Sequence, residues 1–307
     1  MEETPVKLFV IVVTYKGKQW YDRCFTSLRN STIPVQTIVV DNASNDGTVE
    51  YIKENYPEII LIESKENLGF GKGNNLALKY AYEHGCDYVF LLNQDAWLVQ
   101  PGVIDELVDI AKKHPEYGIL SPIHMTADER AINMDFEFVP GTCSRVLYRD
   151  AYCQIVKEVY STDYINAAAW LLSKRTLELV GGFDPLFTLY GEDDDYLHRV
   201  RYHGLKIGLC PKQRIVHDHT SANWTEEGRF FRHKANKEGL QELLDINVPY
   251  NYYLCQWRYI KRMVKALTKK DKATMSLLRF KIGYLRRMRF HISEHRAQNS
   301  KKDMSWL

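Results

Sequence analysis

The amino-acid sequence predicts an α/β fold, a mostly parallel sheet with helices on both faces, followed by a basic helical extension. Three observations carry this. Apolar runs and helix-like stretches alternate at short spacing over residues 6–113, as parallel strands joined by crossover helices do. The runs at 6–13 and 88–92 are continuous rather than alternating, the pattern of strands buried on both faces. Between Arg258 and Arg289 stand twelve Lys/Arg against one acid, Asp271, although the whole chain carries only +2, so the body before them is acidic.

Taken in order, residues 6–13 read as a central strand, Thr14-Tyr15-Lys16-Gly17 as the loop after it, and a helix runs on through Leu28. A second strand, 35–40, ends in Asp41-Asn42-Ala43-Ser44-Asn45-Asp46-Gly47, a cluster of turn formers able to cap a helix starting near Thr48. A third strand at 59–63 leads to a glycine-rich loop, 67–75, then a helix at 76–84 closed by Gly85. Residues 88–92 form the strand that ends in Asn93-Gln94-Asp95, and 103–113 a helix. Residues 118–138 show no clear period, and 136–162 suggest a strand pair or a long loop. An apolar run at 165–172 and a helix at 176–180 stop at Gly181-Gly182. Four consecutive acids, Glu192 to Asp195, open a further helix. A short strand at 207–209 and the stretch 215–221, with His217 and His219, close this part.

The 307 residues, 45% hydrophobic and 26% charged, suit a soluble globular protein with a large core. One domain is expected over 1–246, in two halves of about 1–100 and 101–246, with the extension at 247–307. No apolar run is long enough to span a bilayer, and the start, Met1-Glu2-Glu3, is acidic, so neither a span nor a signal peptide is expected. The six cysteines (24, 86, 143, 153, 210, 255) are scattered without metal spacing, which suits a reducing cytoplasm.

Chemistry concentrates at a few places. Asp95 follows a buried strand, and ligands of open α/β sheets sit at the strands' carboxyl ends. A carboxylate there can hold a divalent cation and through it a phosphate; the plain structural alternative is a cap for a helix near Pro101. Gly69-Phe70-Gly71-Lys72-Gly73 is neither a dinucleotide fingerprint, which belongs in the first strand–helix turn, nor a P-loop, which needs Ser or Thr after the lysine. The helix dipole favours one or two of the four acids at 192–195; the repulsion of all four calls for a cation or a proton-transfer task.

These motifs, in this order over about residues 6–225, resemble family 2 glycosyltransferases of the GT-A fold: Val13-Thr14-Tyr15, the Asp41 cluster, Asn67 to Asn75, Leu92-Asn93-Gln94-Asp95, Gly181-Gly182-Phe183-Asp184, Tyr190-Gly191-Glu192-Asp193, and His217 six residues after Pro211. Within the family the likeness is to rhamnosyltransferase-like enzymes of bacterial surface polysaccharides. The resemblance implies inverting transfer of a sugar from a UDP- or dTDP-sugar to a glycan or polyprenyl-linked hydroxyl, with Mn²⁺ or Mg²⁺. It gives Asp95 and His217, or His219 in its place, to the metal, and Thr14, Tyr15, Asp41, Asn67, Gly69, Asn75 and Asn93 to the nucleotide side. Asp193 becomes the general base, with Glu192 helping to tune it or to position the acceptor, and Ala168, Trp170 and Tyr190 fall on the acceptor side. Three departures stand out: Asn93-Gln94-Asp95 replaces the family's two-acid metal motif, Ala167-Ala168-Ala169 stands where a glycine is usual, and Lys16 where an asparagine is.

The extension carries apolar residues at helical spacing, with Tyr253, Trp257, Ile260, Met263, Val264 and Leu267 in a first set and Met275, Leu278, Ile282, Leu285, Met288 and Ile292 in a second. Its basic residues suggest an anionic membrane surface met through 250–292, at the inner face of the plasma membrane. Packing on the body is the plainer alternative, and nucleic acid is not expected as a partner. Two other classes fit less well, a catalytically silent scaffold and a nucleotidyltransferase. A scaffold has no need of Asp95, Asp193 and His217 together, and a nucleotidyltransferase leaves Glu192-Asp193 without a purpose.

Overall fold

The computed structural model describes residues 5–133, 136, 142–218, 234–235 and 238–307. His219 lies outside the described residues. The elements run β1 Leu8–Thr14, α1 Lys18–Arg29, β2 Gln36–Asp41, α2 Thr48–Asn55, β3 Ile60–Glu63, α3 Gly69–Glu83, β4 Tyr88–Leu92, β5 Ala96–Leu98, α4 Val103–Lys113 and β6 Tyr117–Met125. Then come α5 Thr142–Tyr152, β7 Tyr160–Thr162, β8 Ala169–Ser173, α6 Lys174–Val180, α7 Glu192–Tyr202, β9 Lys206–His217, α8 Leu240–Leu244, α9 Tyr252–Thr268 and α10 Lys272–Asn299.

One sheet holds all the described strands, in the order β3-β2-β1-β4-β8-β6-β9-β5, with β7 also on β9. β1, β2, β3, β4, β6 and β9 run one way, and β5, β7 and β8 oppose them. The alternation within β1 shows why its sequence lacks a polar face. Phe9 and Ile11 enter a core with Ala77 and Leu78 of α3 and Leu197 and Val200 of α7. Leu8, Val10 and Val12 enter the opposite core, with Tyr21 and Phe25 of α1 and Ile104 and Leu107 of α4. The expected two-faced α/β architecture is the one found.

Three local expectations change. The glycine-rich stretch is not a loop but the opening of α3, which starts at Gly69. Its glycines allow close approach: a side chain at Gly71 would press on Phe183, and one at Gly73 on Val13. Residues 142–152 are helical, not stranded, with Cys143, Val146, Leu147 and Asp150 turned inward at helical spacing. Tyr148 and Tyr152, aromatic residues of the kind that favours strands, stand exposed on this helix. β6 escapes a pattern search because Ser121, Pro122 and His124 interrupt it, and its pairing with β9 shifts register between Pro122 and Ile123.

A third core joins the extension to the body. Tyr284, Leu285 and Ile292 of α10 pack with Leu240, Leu243 and Leu244 of α8 and with Phe187 of the loop before α7. Among the described residues, no helix is long and apolar enough to cross a membrane.

Candidate functional site

The site forms at the carboxyl ends of β1, β2 and β4, where the chain order reverses from β2 on one side of β1 to β4 on the other. Thr14 closes β1 directly opposite Asp41 at the end of β2. Its hydroxyl meets Asp41 Oδ1 at 3.4 Å, while Asp41 Oδ2 accepts from the Ser44 amide at 3.0 Å. Asp41 is thus buried but hydrogen-bonded, a fixed acceptor at the strand's end. The Asn42 side chain bonds the Gly69 carbonyl and the Leu68 amide, tying β2 to the start of α3, and Asn67 accepts from the Gly69 amide.

Sheet register explains how Asp95 and His217, far apart in the chain, come together. β5 lies antiparallel to β9 with Ala96 opposite His217, so Asp95 stands beside that histidine. Asp95 Oδ1 is 3.4 Å from His217 Nε2, and the Asn93 amide nitrogen is 3.3 Å from the same ring atom. Around them, Asn133 Nδ2 donates to the His217 carbonyl, Trp20 Nε1 to Asp218, and the Asn93 backbone N–H to the Ala168 carbonyl. One carboxylate and one imidazole facing a common point suit a divalent cation, and the imidazole favours Mn²⁺ over Mg²⁺. Among the described residues, no cluster of three His, Cys, Asp or Glu forms a protein-only cage. A cation here would need further coordination from outside these two side chains.

The acid turn approaches from the other half of the chain. α7 begins at Glu192, and the Glu192 Cβ lies close to the space beside Gly71 at the start of α3. Glu192 is buried with Oε2 unpartnered; burial first, then the charge of Asp193, pushes its carboxyl up to about 8. Burial and the flanking Asp193 and Asp195 push Asp194 up to about 7. Asp193 is half-buried, with Tyr164 Oη 3.5 Å from Oδ2 and the Asp194 amide on Oδ1. Asp195 is consumed in a fully buried pair with Arg199, Nε to Oδ2 2.8 Å, which leaves it a structural role. The four acids therefore divide: burial and mutual repulsion raise the Glu192 and Asp194 carboxyls, Asp195 pairs with Arg199, and Asp193 is half-buried beside Tyr164.

Some expected site residues stand elsewhere. Asn75 spends both ends of its amide on the Phe183 backbone, donating to its carbonyl at 2.8 Å and accepting from its amide at 2.7 Å. It clips α3 to the Gly181–Asp184 turn rather than offering its amide to a nucleotide. Trp170 is fully buried, stacked over Phe183 and beside Tyr196, a core residue rather than an acceptor wall. Asn93 stands beside the Asp95–His217 pair. Ala168 stays next to it through the Asn93 backbone N–H, and Tyr190 lines a cleft of about 230 Å³ with Leu186, Phe187 and Gln241. Tyr15 is gripped at both backbone atoms by Gln94, Oε1 from its amide at 2.9 Å and Nε2 to its carbonyl at 3.2 Å. That role of Gln94 was not anticipated, although its place inside the Asn93–Asp95 motif was the available signal. Tyr164 gave no signal at all.

Residues 9–152 match the family model described as Glycosyl transferase family 2. The match covers Thr14, Asp41 and Asp95 and ends before the acid turn. The chain is 27% identical over 231 residues to the N-acetylglucosaminyl-diphospho-decaprenol L-rhamnosyltransferase of Mycobacterium tuberculosis, covering 68% of this chain and 75% of the relative. It is 23% identical over 213 residues to the low-salt glycan biosynthesis hexosyltransferase Agl10 of Haloferax volcanii, covering 69% and 67%. Among solved structures, the mannosyltransferase PcManGT of Pyrobaculum calidifontis, in complex with GDP-Man and Mn²⁺, superposes with a TM-score of 0.57 at 17% identity, over 97% of this chain and 88% of that one. S. aureus TarS 1–349 gives 0.57 at 14% identity, over 96% and 89%.

Proposed function

We propose that this chain, whose residues 9–152 match the family 2 glycosyltransferase model, transfers a sugar, with inversion, from a UDP- or dTDP-sugar to a hydroxyl of a glycan or polyprenyl-linked acceptor in polysaccharide biosynthesis. The observation that carries the proposal is the convergence of Asp95 and His217 at 3.4 Å beside the carboxyl ends of the strands that present Thr14 and Asp41. Asp41 is the fixed acceptor for a base N–H, and Thr14 and Tyr15 line the base. Asp95 and His217 would hold a cation, Mn²⁺ or Mg²⁺, which when bound would supply charge stabilisation for the departing diphosphate. Asp193 takes the acceptor's proton during attack, while the raised carboxyls of Glu192 and Asp194 lessen the negative charge beside it. The relative named for a decaprenol-linked substrate favours a lipid-linked acceptor.

In this reading residues 1–246 are the catalytic body, in nucleotide and acceptor halves meeting near 100, and 247–307 bring it to an anionic membrane from the cytoplasmic side. α9 supports the last point. Ala266 is its one buried residue among those described, and Tyr253, Trp257, Ile260, Val264 and Leu267 form one outward stripe, with Tyr253 74% and Trp257 56% exposed. Arg258, Lys261, Arg262 and Lys265 flank it, the pattern of an interfacial helix. α10, by contrast, packs on the body as the plainer alternative has it.

Thermal unfolding with UDP, dTDP and GDP, each with and without Mn²⁺ or Mg²⁺, tests the proposal. A ligand at a hundred times its Kd stabilises by about 2.7 kcal/mol, roughly 5 °C in a chain of this size. A shift for UDP or dTDP that grows with metal is expected. No shift with any pair would leave the fold intact and remove the donor site.

A further inference from the structure

Transfer as proposed needs Asp193 held within hydrogen-bond reach of the acceptor. The turn leading to it takes unusual backbone angles, φ 67° at Tyr190 and 95° at Gly191, so its shape has to be imposed from outside. The element in contact with it is the stretch 180–187, which is gripped from three directions. α7 holds it through Arg199 Nη1 to the Val180 carbonyl at 2.8 Å and Tyr196 Oη to the Gly181 carbonyl at 3.0 Å. α3 holds it through Asn75 on Phe183.

The third grip comes from the C-terminal segment and centres on Asp184, which is 1% exposed. His295 Nδ1 of α10 reaches Asp184 Oδ1 at 2.6 Å, and Asn299 Nδ2 reaches Oδ2 at 2.9 Å. Trp306 stacks on His295, with ring centres 4.8 Å apart, and its Nε1 donates to Asn299 Oδ1 at 2.8 Å. His203, at the end of α7, lies with Nε2 3.0 Å from the Asn299 carbonyl, and the Gly182 amide donates to the Ser305 carbonyl at 2.8 Å. Asp184 passes this on to the loop it begins. Its Oδ1 also accepts from the Leu186 amide at 2.9 Å, its carbonyl from the Phe187 amide at 3.2 Å, and the Phe187 ring lies against Gly191. Burial alone would raise the Asp184 carboxyl; the His295, Leu186 and Asn299 bonds outweigh it and hold the group below the usual range. Asp184 is therefore a full negative charge whose partners come largely from α10.

We propose that Asp184, His295, Asn299 and Trp306 form a positioning latch, through which the C-terminal helix sets the acid turn and with it the turnover of the enzyme. None of the four is a catalytic residue; they act on Asp193 through Phe187 and Gly191. The proposal rests on Asp193 being the base.

The test uses the full chain, the nucleotide sugar selected by the melting screen, and a lipid extract as acceptor, with nucleoside diphosphate release as readout. His295→Leu removes the donor to Asp184, and His295→Asn restores an N–H near the Nδ1 position. The expected result for His295→Leu is a fall of kcat of about 10-fold or more, since misplacements near 1 Å cost as much as 10²-fold. Donor KM and the nucleotide-induced melting shift stay put, and His295→Asn recovers most of the rate. A lower Tm with unchanged kcat per folded enzyme, or Leu and Asn variants of equal rate, overturns the latch. If His295→Leu does not fold, Trp306→Phe, which keeps the ring and loses the N–H on Asn299, is read the same way. Asp193→Asn runs alongside: if that variant retains transfer, the assignment of the base has failed rather than the latch.

Discussion

Gly69 offers a sharp test of how α3 and the acid turn share space. It opens α3 at φ 76°, and a methyl group there would fall on the backbone carbonyl of Thr188, well inside van der Waals contact. Gly69→Ala therefore carries two penalties. The left-handed backbone costs an alanine about 1 kcal/mol. The clash, against backbone rather than a flexible side chain, displaces the 188–191 loop by about 1 Å, which in an active site costs as much as about 10²-fold in rate. Gly85 supplies the control, with φ 73° and open space around its absent Cβ. Gly85→Ala should lose the backbone term alone, about 2 °C of Tm, and keep full activity. Gly69→Ala should lose more Tm and at least about 10-fold in kcat. The assay is a melting curve with nucleoside diphosphate release on both variants, at matched folded concentration. Equal loss of stability and activity in the two would refute the contact between the α3 start and the acid turn.

Further outcomes follow from the two charged clusters. Asp95→Asn and His217→Ala should each raise the Mn²⁺ concentration needed for half-maximal nucleotide-induced stabilisation by about 10²-fold or more, measured by titrating metal at fixed UDP or dTDP, because losing even an outer partner of a metal ligand costs 10–100-fold. Glu192 titrates near 4.5 when unfolded and about 8 when folded, so the folded state binds the proton more tightly. Its contribution is fully present below pH 4.5 and is lost as pH rises toward 8, at about 1.4 kcal/mol per pH unit at most. Melting curves of Glu192→Gln should thus gain on the parent protein between pH 5 and 8; parallel curves would show that Glu192 is not buried as a neutral acid. A charge placed on the outward stripe, Trp257→Glu with Ile260→Glu, should abolish flotation with phosphatidylglycerol vesicles and leave melting unchanged, since both side chains are exposed. Retained flotation would place the membrane contact elsewhere.

Much of this was legible in the sequence because it depends on local rules. Continuous apolar runs gave β1 and β4, and Asp41 and Asp95 stand at strand ends where a doubly covered sheet puts its ligands. What stayed illegible depends on tertiary partners. Nothing in the spacing of Asn75 says that its amide closes on Phe183, and nothing in Trp170 distinguishes an acceptor wall from a core residue until Phe183 and Tyr196 are seen around it. β6 was hidden by Pro122, which a register shift accommodates, and α5 by exposed tyrosines that mimicked a strand. The four acids looked alike in sequence; burial, Arg199 and Tyr164 divide them.

The most direct measurement is single-turnover transfer by Asp193→Asn, with nucleotide binding followed in parallel by melting shift. The isosteric amide keeps the turn's shape but cannot accept the acceptor's proton. Transfer should fall by about 10² to 10⁴-fold, the span of general-base catalysis, while the UDP or dTDP shift with Mn²⁺ is unchanged. Transfer at the parent rate with binding intact would contradict Asp193 as the base and, with it, the chemistry assigned to the acid turn.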